Sequence, residues 1–594
     1  MQIRLLRLRF RRRLRKGQRQ VEDLSSQAEQ SIETHLLKRF ERLGQIRRFV
    51  IGWLGLVLLL LIGLLIQNQL LSGYFQTLEP VAGGIYNEGV RGRFTNASPL
   101  YATSDADATV SRLVFAGLLK YDSHGKLVGD LASSYSTDDH GVVYTVHLRP
   151  NLTWQDGQPL TSADVLFTYH LIQNPDAQSP LQSSWQGIAV TTPDAHTVVF
   201  KLPGALASFP NNLTSGIVPQ HLLTNIPPSD LRSADFNTVH PVGAGPFSWQ
   251  AIQVAGNGDP DTAQEQIELT PFKDYAGGQP KLQKFVVQVF ASEPQLIQAF
   301  ASGQLTAVEG LNETPPQVMH KASVVQHNLP LRAANMVFFK TTSGVLADQS
   351  VRHALVQGTE VSKIIKELGY PTRAVNEPLL IGQAGYDPAL AQPKFNLTAA
   401  KAGLDAGGWQ AAANGMRSKA GQQLEFSLSA ANTHEGHVVG SELQKQWRQL
   451  GVKLDVDYLD PVDFQNAISA HSYDAVLDGI TIGEDPDVFV YWDSSQADIR
   501  SPNRLNLSEY KSSAADASLE AARSRIDPAI RAVKLKAFLQ TWQQDAPALA
   551  LYQPRLLYLT NGPVAGLGDN ALNSPTDRFA NVQNWEIREA KVTN

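Results

Sequence analysis

The sequence predicts an α/β body with a mixed sheet in each of two lobes, preceded by one membrane-spanning helix. Three features predict this fold: an uncharged apolar run at residues 49–66, a strand-rich stretch near residues 115–240, and strand–helix–strand units in the second half. Such units usually build sheets that are flanked by helices. We therefore expect the strand-rich stretch to form an extra β-rich subdomain within the first lobe.

The apolar run FVIGWLGLVLLLLIGLLI contains 18 residues without a charge, which is long enough for a membrane-spanning helix. Residues 1–48 hold 14 Lys and Arg against 5 Asp and Glu, a net charge of +9. The positive-inside rule therefore predicts a cytoplasmic N-terminus and an extracellular or periplasmic body. Subtracting +9 from the chain total of −5 leaves −14, so this body is acidic.

The basic arm and the absence of cysteine restrict the function further. A polybasic segment beside a spanning helix binds anionic lipid, so we expect no nucleic-acid partner. The chain has no Cys, which excludes disulfides, thiolate metal sites, a catalytic cysteine and a lipid anchor carried by cysteine. A cleaved signal peptide is the alternative for the N-terminus, but the basic region is too long and no A-x-A site follows cleanly.

Alternating apolar side chains predict the strands of the first half. Residues 142–148 alternate with a period of two, and residues 197–202 form a second strand. Between them Thr161 is the expected N-cap of a helix, and Asp164 supplies the acidic part of a capping box.

The second half repeats a strand–helix–strand order. Ser292 is the expected cap of one helix, Gly303 follows its end, and Gly451 ends another helix. Strands are predicted at 285–289, 305–308, 452–458 and 474–477, and helices at 293–301, around Trp447 and at 462–470.

Motifs for covalent chemistry are missing from the sequence. It contains no G-x-x-x-x-G-K-[ST] phosphate loop and no G-x-S-x-G elbow, so we expect neither ATP hydrolysis by this chain nor any catalytic residue. His434, Glu435 and His437 resemble a metal box but are one residue short of H-E-x-x-H, so the start of a solvated helix is the preferred interpretation. No metal ligand and no cofactor is predicted.

A set of ordered motifs extends from about residue 84 to residue 562. Within residues 113–172 the motifs are GLLKYD, GKLVGDLASSY and HLRPNLTWQDGQPLTSADV. The later motifs are GAGPF at 243–247, DYAGGQPKLQKFVVQVF at 274–290, VRHALVQGTEVSKIIKELG at 351–369, AAKAGLDAGGW at 399–409 and EDPDVFVYWDSSQ at 484–496. In this order they resemble the family 5 extracellular solute-binding proteins, the peptide- and nickel-type receptors of ABC importers.

The resemblance implies a two-lobed periplasmic-binding-protein-like fold, of type II or cluster C, that closes on its ligand by hinge motion. Its chain crosses between the lobes twice, here near 331–339 and 548–559. The apolar run and the basic arm predict a basic cytoplasmic segment at 1–48, a transmembrane helix at 49–69 and a linker at 70–82. The resemblance adds lobe I at 83–332 with its β-rich subdomain at about 115–240, lobe II at 333–546, and a return to lobe I at 547–594.

The resemblance also implies a function: a receptor that binds oligopeptide-like solutes and delivers them to an ABC permease with separate ATPase subunits. The apolar run would anchor this receptor in the cell membrane, and we expect it to be a monomer. Peptide receptors of this family often carry an Asp, shortly after a Gly-Trp pair, that binds the peptide amino group. Here Ile480 replaces the Trp and no acid stands at the expected offset, so Glu484 or Asp485 is the candidate. The remaining ligand-binding candidates are Asn96, Trp409, Tyr491 and Trp492.

Two alternatives stay open at this point. The same lobes could act as a sensor whose long basic arm signals to a cytoplasmic partner. The solute could also be a nickel chelate or a sugar, because the departure from the Gly-Trp-Asp pattern leaves the cargo undetermined. An extracytoplasmic hydrolase is disfavoured by the missing nucleophile and metal motifs.

Overall fold

The computed structural model describes residues 47–72, 76–255, 264–501 and 504–593. Apart from its last two residues, the predicted cytoplasmic arm lies outside these ranges. The chain divides into two compact units, one formed by residues 1–79 and 589–594 and the other by residues 80–588.

The first unit contains the apolar helix Arg47–Ser72. Its stretch Phe49–Gln67 has a mean hydropathy of 2.9 and none of it is buried, so this is the one described helix long and apolar enough to cross a membrane. The strands Gln76–Val81 and Arg588–Thr593 pair with each other.

A seven-stranded mixed sheet, sheet I, forms the centre of the first half of the second unit. Its strands contain many β-branched and aromatic residues, as in KFVVQVF of Lys284–Phe290, which is parallel to Ile85–Arg91. Cores of buried side chains cover both faces. In spatial order the strands are Val324–Pro330, Arg555–Asn561, Ala307–Glu309, Ile85–Arg91, Lys284–Phe290, Gln264–Pro271 and Phe247–Ala255.

A second mixed sheet of five strands, sheet II, lies between two further cores. Two of its neighbouring pairs are parallel and two are antiparallel. In spatial order its strands are Lys453–Leu459, Glu425–Ala431, Ala475–Thr481, Ala333–Phe339 and Ala548–Tyr552.

The strand-rich stretch forms a separate antiparallel sheet of four strands, as the fold class predicted. Its strands are Ala132–Thr137, Val143–Leu148, Thr197–Lys201 and Ala189–Asp194. The predicted helix is Ser162–Gln173, and the capping box of Thr161 and Asp164 is confirmed. Smaller sheets pair Leu119–Tyr121 with Leu127–Gly129, and join Gln410–Ala411, Arg417–Lys419 and Gln422–Gln423.

Helices cover the sheets, and two sequence predictions needed adjustment. The strand expected at 305–308 is Ala307–Glu309, because Leu305 packs into the core ahead of it. Ser292 is the N-cap of Glu293–Ala301, but its side chain makes no capping hydrogen bond. The α-helices are Asp105–Val114, Ser162–Gln173, Gln182–Trp185, Gln220–Leu223, Glu293–Ala301, Gln349–Gln357, Val361–Glu367, Leu397–Ala406, His434–Arg448, Pro461–Ala470, Phe489–Trp492, Ser513–Arg523 and Pro528–Asp545.

Two chain crossings, side by side, connect the sheets. Val324–Pro330 of sheet I leads directly into Ala333–Phe339 of sheet II, and Ala548–Tyr552 of sheet II returns into Arg555–Asn561 of sheet I. The Leu331 N–H donates to the Pro554 carbonyl at 2.9 Å between the two crossings. The α/β architecture predicted from sequence, with a mixed sheet in each of two lobes, is therefore confirmed.

Candidate functional site

A cavity of about 510 Å³ lies beside the crossings. Both lobes contribute to it, and its volume is within the range of about 300–1,000 Å³ found for small-molecule sites. The lining consists of Arg332 and Gln553 from the crossings, residues 373–376, 379–384 and 386 of one long segment, the loop 484–486, Arg531 and Ala571.

Backbone hydrogen bonds fix the long segment along the second crossing. The Gln553 N–H donates to the Arg373 carbonyl at 2.9 Å, and the Val375 N–H donates to the Leu551 carbonyl at 3.0 Å. Further along, the Gln383 side chain donates to the Gly483 carbonyl at 2.7 Å. The cavity wall is therefore held in place before any ligand binds, which lowers the entropic cost of binding.

Arg332 connects the two lobes at the floor of the cavity. Its guanidinium donates to the carbonyl oxygens of Gly125 and His124 in lobe I, each at 3.3 Å. The same guanidinium forms an ion pair with Glu484 of lobe II. Burial lowers the pKa of Arg332, but a guanidinium stays protonated in proteins, so this contact remains charged.

Arg531 and Asp485 form a second ion pair in the cavity wall. Nη1 of Arg531 donates to Oδ2 of Asp485 at 2.9 Å, and Nη2 contacts Oδ1, so both carboxylate oxygens are engaged. Burial alone would lower the pKa of Arg531, but the hydrogen bonds and charge of Asp485 raise it above its ordinary value. Bidentate pairs of this kind are among the stronger polar contacts in proteins.

Arg373 is the third cation of the cavity. It is exposed, and no described residue forms a hydrogen bond or an ion pair with its guanidinium. Asn376 lies three residues further along, is also exposed, and finds no partner for its side-chain amide in the described part of the chain. Two unpartnered polar side chains therefore stand on one rigid segment of the wall.

Of the six ligand-binding residues predicted from sequence, the structure brings only Glu484 and Asp485 to the cavity. Trp492 is 0% exposed and packs 5.6 Å from the Phe338 ring. Trp409 is 2% exposed, and its indole N–H donates to Asp348 at 3.1 Å. Both tryptophans are core residues in this structure, and the expectation that they contact ligand stays a prediction.

Asn96 and Tyr491 also lie outside the cavity lining. The side-chain Oδ1 of Asn96 accepts from the Ser98 N–H at 2.8 Å, so this buried side chain shapes its own loop. The Tyr491 hydroxyl accepts from the Thr481 N–H at 3.2 Å, and burial raises the pKa of Tyr491. Each side chain has a local hydrogen-bond partner, and the expectation that Asn96 and Tyr491 contact a ligand stays a prediction.

The short His-Glu-Gly-His stretch begins the helix His434–Arg448, whose N-cap is Thr433. Glu435 accepts from the Tyr552 hydroxyl at 3.1 Å, and Nε2 of His437 lies 3.0 Å from the side-chain Oδ1 of Asn432. Within the described ranges no cluster of three or more His, Asp or Glu side chains is placed to hold a metal ion.

The cationic part of the site could not be predicted from the sequence. Arg332, Arg373 and Arg531 stand in no recognisable motif, and they are about 40 to 200 residues apart along the chain. The one available signal was the predicted crossing near residues 331–339, since crossings border the cleft between lobes.

Contacts outside the cavity also join lobe II to the β-rich subdomain. The Ser208 hydroxyl donates to Asp487 at 2.8 Å, and Arg523 donates to the same carboxylate at 3.2 Å. The Ala207 N–H donates to the Arg523 carbonyl at 2.9 Å. The lobes are therefore in contact, as expected for a closed or nearly closed state.

Comparison with known proteins places this geometry in a family. The model for bacterial extracellular solute-binding proteins, family 5 middle region, matches residues 126–501. The oligopeptide-binding protein AppA of Bacillus subtilis is 26% identical over 498 residues, which cover 80% of this chain and 87% of AppA.

Solved structures share the fold. The structure of Bacillus subtilis AppA in complex with a nonapeptide matches with a TM-score of 0.68 and 22% identity, covering 86% of this chain and 100% of AppA. NikZ from Campylobacter jejuni in complex with Ni(L-His) matches with a TM-score of 0.70 and 21% identity, covering 85% of this chain and 99% of NikZ.

Proposed function

Because this chain belongs to the bacterial extracellular solute-binding proteins of family 5, we propose that it is the membrane-anchored receptor of an ABC importer for oligopeptide-like solutes. The observation that carries the proposal is the cavity of about 510 Å³ beside the two crossings. A small rotation about two adjacent crossings opens and closes such a cavity, as in other hinged receptors. The chain binds its solute and releases it without covalent change.

The peptide assignment rests on the relatives. AppA of Bacillus subtilis is named as an oligopeptide-binding protein, and its structure holds a nonapeptide. Since NikZ holds Ni(L-His), a nickel chelate is the second candidate solute. The described residues offer no cluster of protein ligands for a bare metal ion, which favours a peptide or a preformed chelate over a free cation.

The helix Arg47–Ser72 is proposed as the anchor, with the N-terminus in the cytoplasm and the body outside. Tethering replaces a lipid anchor, since the chain has no Cys to carry one. It confines the receptor to the surface where a permease with its ATPase subunits would receive the solute. We propose that the receptor acts as a monomer.

Native purification followed by mass spectrometry tests the proposed function. The full chain is extracted in mild detergent, denatured, and the released small molecules are identified, with metal content measured on the same sample. Recovery of peptides in stoichiometric amount supports the proposal, whereas a nickel chelate or a sugar would replace the peptide assignment. Protease accessibility of the body from outside intact cells tests the topology, and a protected body would contradict it.

A further inference from the structure

The cavity carries more positive than negative charge in its lining. Three guanidiniums, Arg332, Arg373 and Arg531, face two carboxylates, Glu484 and Asp485, so one positive charge is left over. A solute entering the cavity meets this field at short range, where water screens charges less than at an open surface. The surplus therefore favours a solute group with negative charge.

Each of the two carboxylates in the cavity lining already forms an ion pair with an arginine. Asp485 uses both oxygens on Arg531, and Glu484 pairs with Arg332. A ligand ammonium that took Asp485 would leave the Arg531 side chain, 12% exposed, without its counter-ion. Separating this largely buried pair costs more than one new contact returns, so Asp485 is not available as an ammonium site. The Glu484 side chain is 47% exposed, but its carboxylate is already paired with Arg332.

Arg373 is in the opposite situation. Its backbone is fixed by the bond from the Gln553 N–H at 2.9 Å, while its side chain is exposed and has no partner in the described ranges. Asn376, whose backbone carbonyl accepts from the Gln392 N–H at 2.8 Å, adds a free amide on the same segment. The guanidinium and the amide, three residues apart on a segment fixed by backbone hydrogen bonds, both carry N–H donors that a carboxylate accepts.

We propose that this cavity recognises a carboxylate of its solute through Arg373, with Asn376 beside it, and has no dedicated site for a free amino group. The inference rests on the proposed function and specifies its substrate class: peptides with a free C-terminal carboxylate, including those whose amino end is blocked. Glu484 and Asp485 act as positioning residues that hold Arg332 and Arg531 in the wall.

Calorimetric titration of the full chain in detergent, stripped of bound solute, tests this with three probes: tetra-alanine, N-acetyl-tetra-alanine and tetra-alanine amide. We expect the acetylated peptide to bind within about threefold of the free peptide. The amide should bind at least tenfold more weakly, because it loses a charge-assisted contact.

Two variants assign the effect to a residue. Arg373→Gln should bring the acid and the amide to similar affinity, because the cation that distinguishes them is gone. Arg448→Gln is the matched control: it removes an exposed arginine of the same lobe that is not part of the cavity lining. This control should keep the preference for the acid.

The outcomes separate this inference from the proposed function. If the amide binds as tightly as the acid, or if acetylation abolishes binding, the inference is wrong while peptide binding stands. If Arg373→Gln keeps the full preference, the assignment to Arg373 is wrong. If none of the three peptides binds, the proposed peptide function fails and the inference fails with it.

Discussion

Glu377 lies behind the cavity wall, next to Asn376, and is 0% exposed. Its one hydrogen bond is accepted from the Asp387 N–H at 3.3 Å, and its other carboxyl oxygen has no partner among the described residues. Burial raises the pKa of Glu377 to about 7. At neutral pH the folded protein therefore holds a carboxyl that is partly protonated close to its binding site.

This shift makes stability depend on pH in a predictable direction. The folded state binds the Glu377 proton more tightly than the unfolded state does. The contribution of the protonated carboxyl to the free energy of unfolding is therefore complete below the ordinary pKa of 4.5 and is lost as pH rises towards about 7. For Glu377→Gln, the unfolding free energy relative to the parent should rise by about 2 kcal/mol between pH 5 and pH 8.

Native-state hydrogen exchange in lobe II, measured at both pH values, checks this prediction. Glu367→Gln is the control, since Glu367 is exposed at the end of its helix. A pH dependence that is the same in the Glu377→Gln variant and the parent would contradict the account of this buried carboxyl.

At the residue scale, the sequence showed part of the candidate site. Glu484 and Asp485 stood out because they follow a recognisable motif, and both line the cavity. Their pairing with Arg332 and Arg531 was invisible, because each ion pair joins segments that only folding brings together. The aromatic candidates lie outside the cavity lining, and sequence alone could not decide their role, since large apolar side chains suit a core and a ligand cleft equally well.

At the scale of single elements, helix capping gives a direct comparison within this chain. Thr161 caps Ser162–Gln173 with a reciprocal capping box, whereas Ser292 occupies the N-cap of Glu293–Ala301 without a side-chain bond. Thr161→Ala should destabilise its helix start by about 1 kcal/mol, and Ser292→Ala by a few tenths.

Hydrogen exchange of the peptides that cover the two helix starts measures both variants. A loss of about 1 kcal/mol corresponds to roughly fivefold faster exchange in the first turn. Equal effects at the two caps would show that the Thr161 side-chain bond contributes nothing.

The elements themselves were largely readable from the sequence. Period-two alternation located Val143–Leu148 and Lys453–Leu459 within one residue. Gly451, with a φ of +85°, follows the helix His434–Arg448 as its sequence position suggested. The predicted position of short strands such as Ala307–Glu309 was less accurate, because three residues carry little periodic signal.

At the scale of the whole molecule, closure depends on a few contacts between lobes. The Ser208 hydroxyl is one of them, donating to Asp487 at 2.8 Å. Ser208→Ala removes this bond from the closed state alone, so the closed state should be less populated and the apparent Kd should rise about two- to fivefold.

Titration with tetra-alanine checks this, with Ser229→Ala as control because Ser229 bonds only to its neighbour Asp230 in the described structure. Unchanged affinity in Ser208→Ala would mean that this contact does not bias closure.

The sequence could predict the order of segments but not how sheets I and II combine. The strands of sheet I come from residues 85–330 and 555–561, so the sheet is complete only when the C-terminal strand Arg555–Asn561 has paired with the others. Such non-local pairing leaves no local pattern, and the resemblance to a known family supplied it instead. The division of the chain at residues 83, 333 and 547 stays a prediction.

The central claim is that two lobes close on a solute by hinge motion at the crossings, and a distance measurement tests it most directly. Since the chain has no Cys, Lys201→Cys and Arg525→Cys provide a unique pair of exposed spin-label sites, on segments near the Ala207–Arg523 contact. Pulsed dipolar spectroscopy then reports their separation without peptide and with tetra-alanine at a concentration that calorimetry shows to be saturating. A shift from a broad, longer distribution to a narrow, shorter one is the predicted result, whereas identical distributions in the two samples would contradict hinge closure.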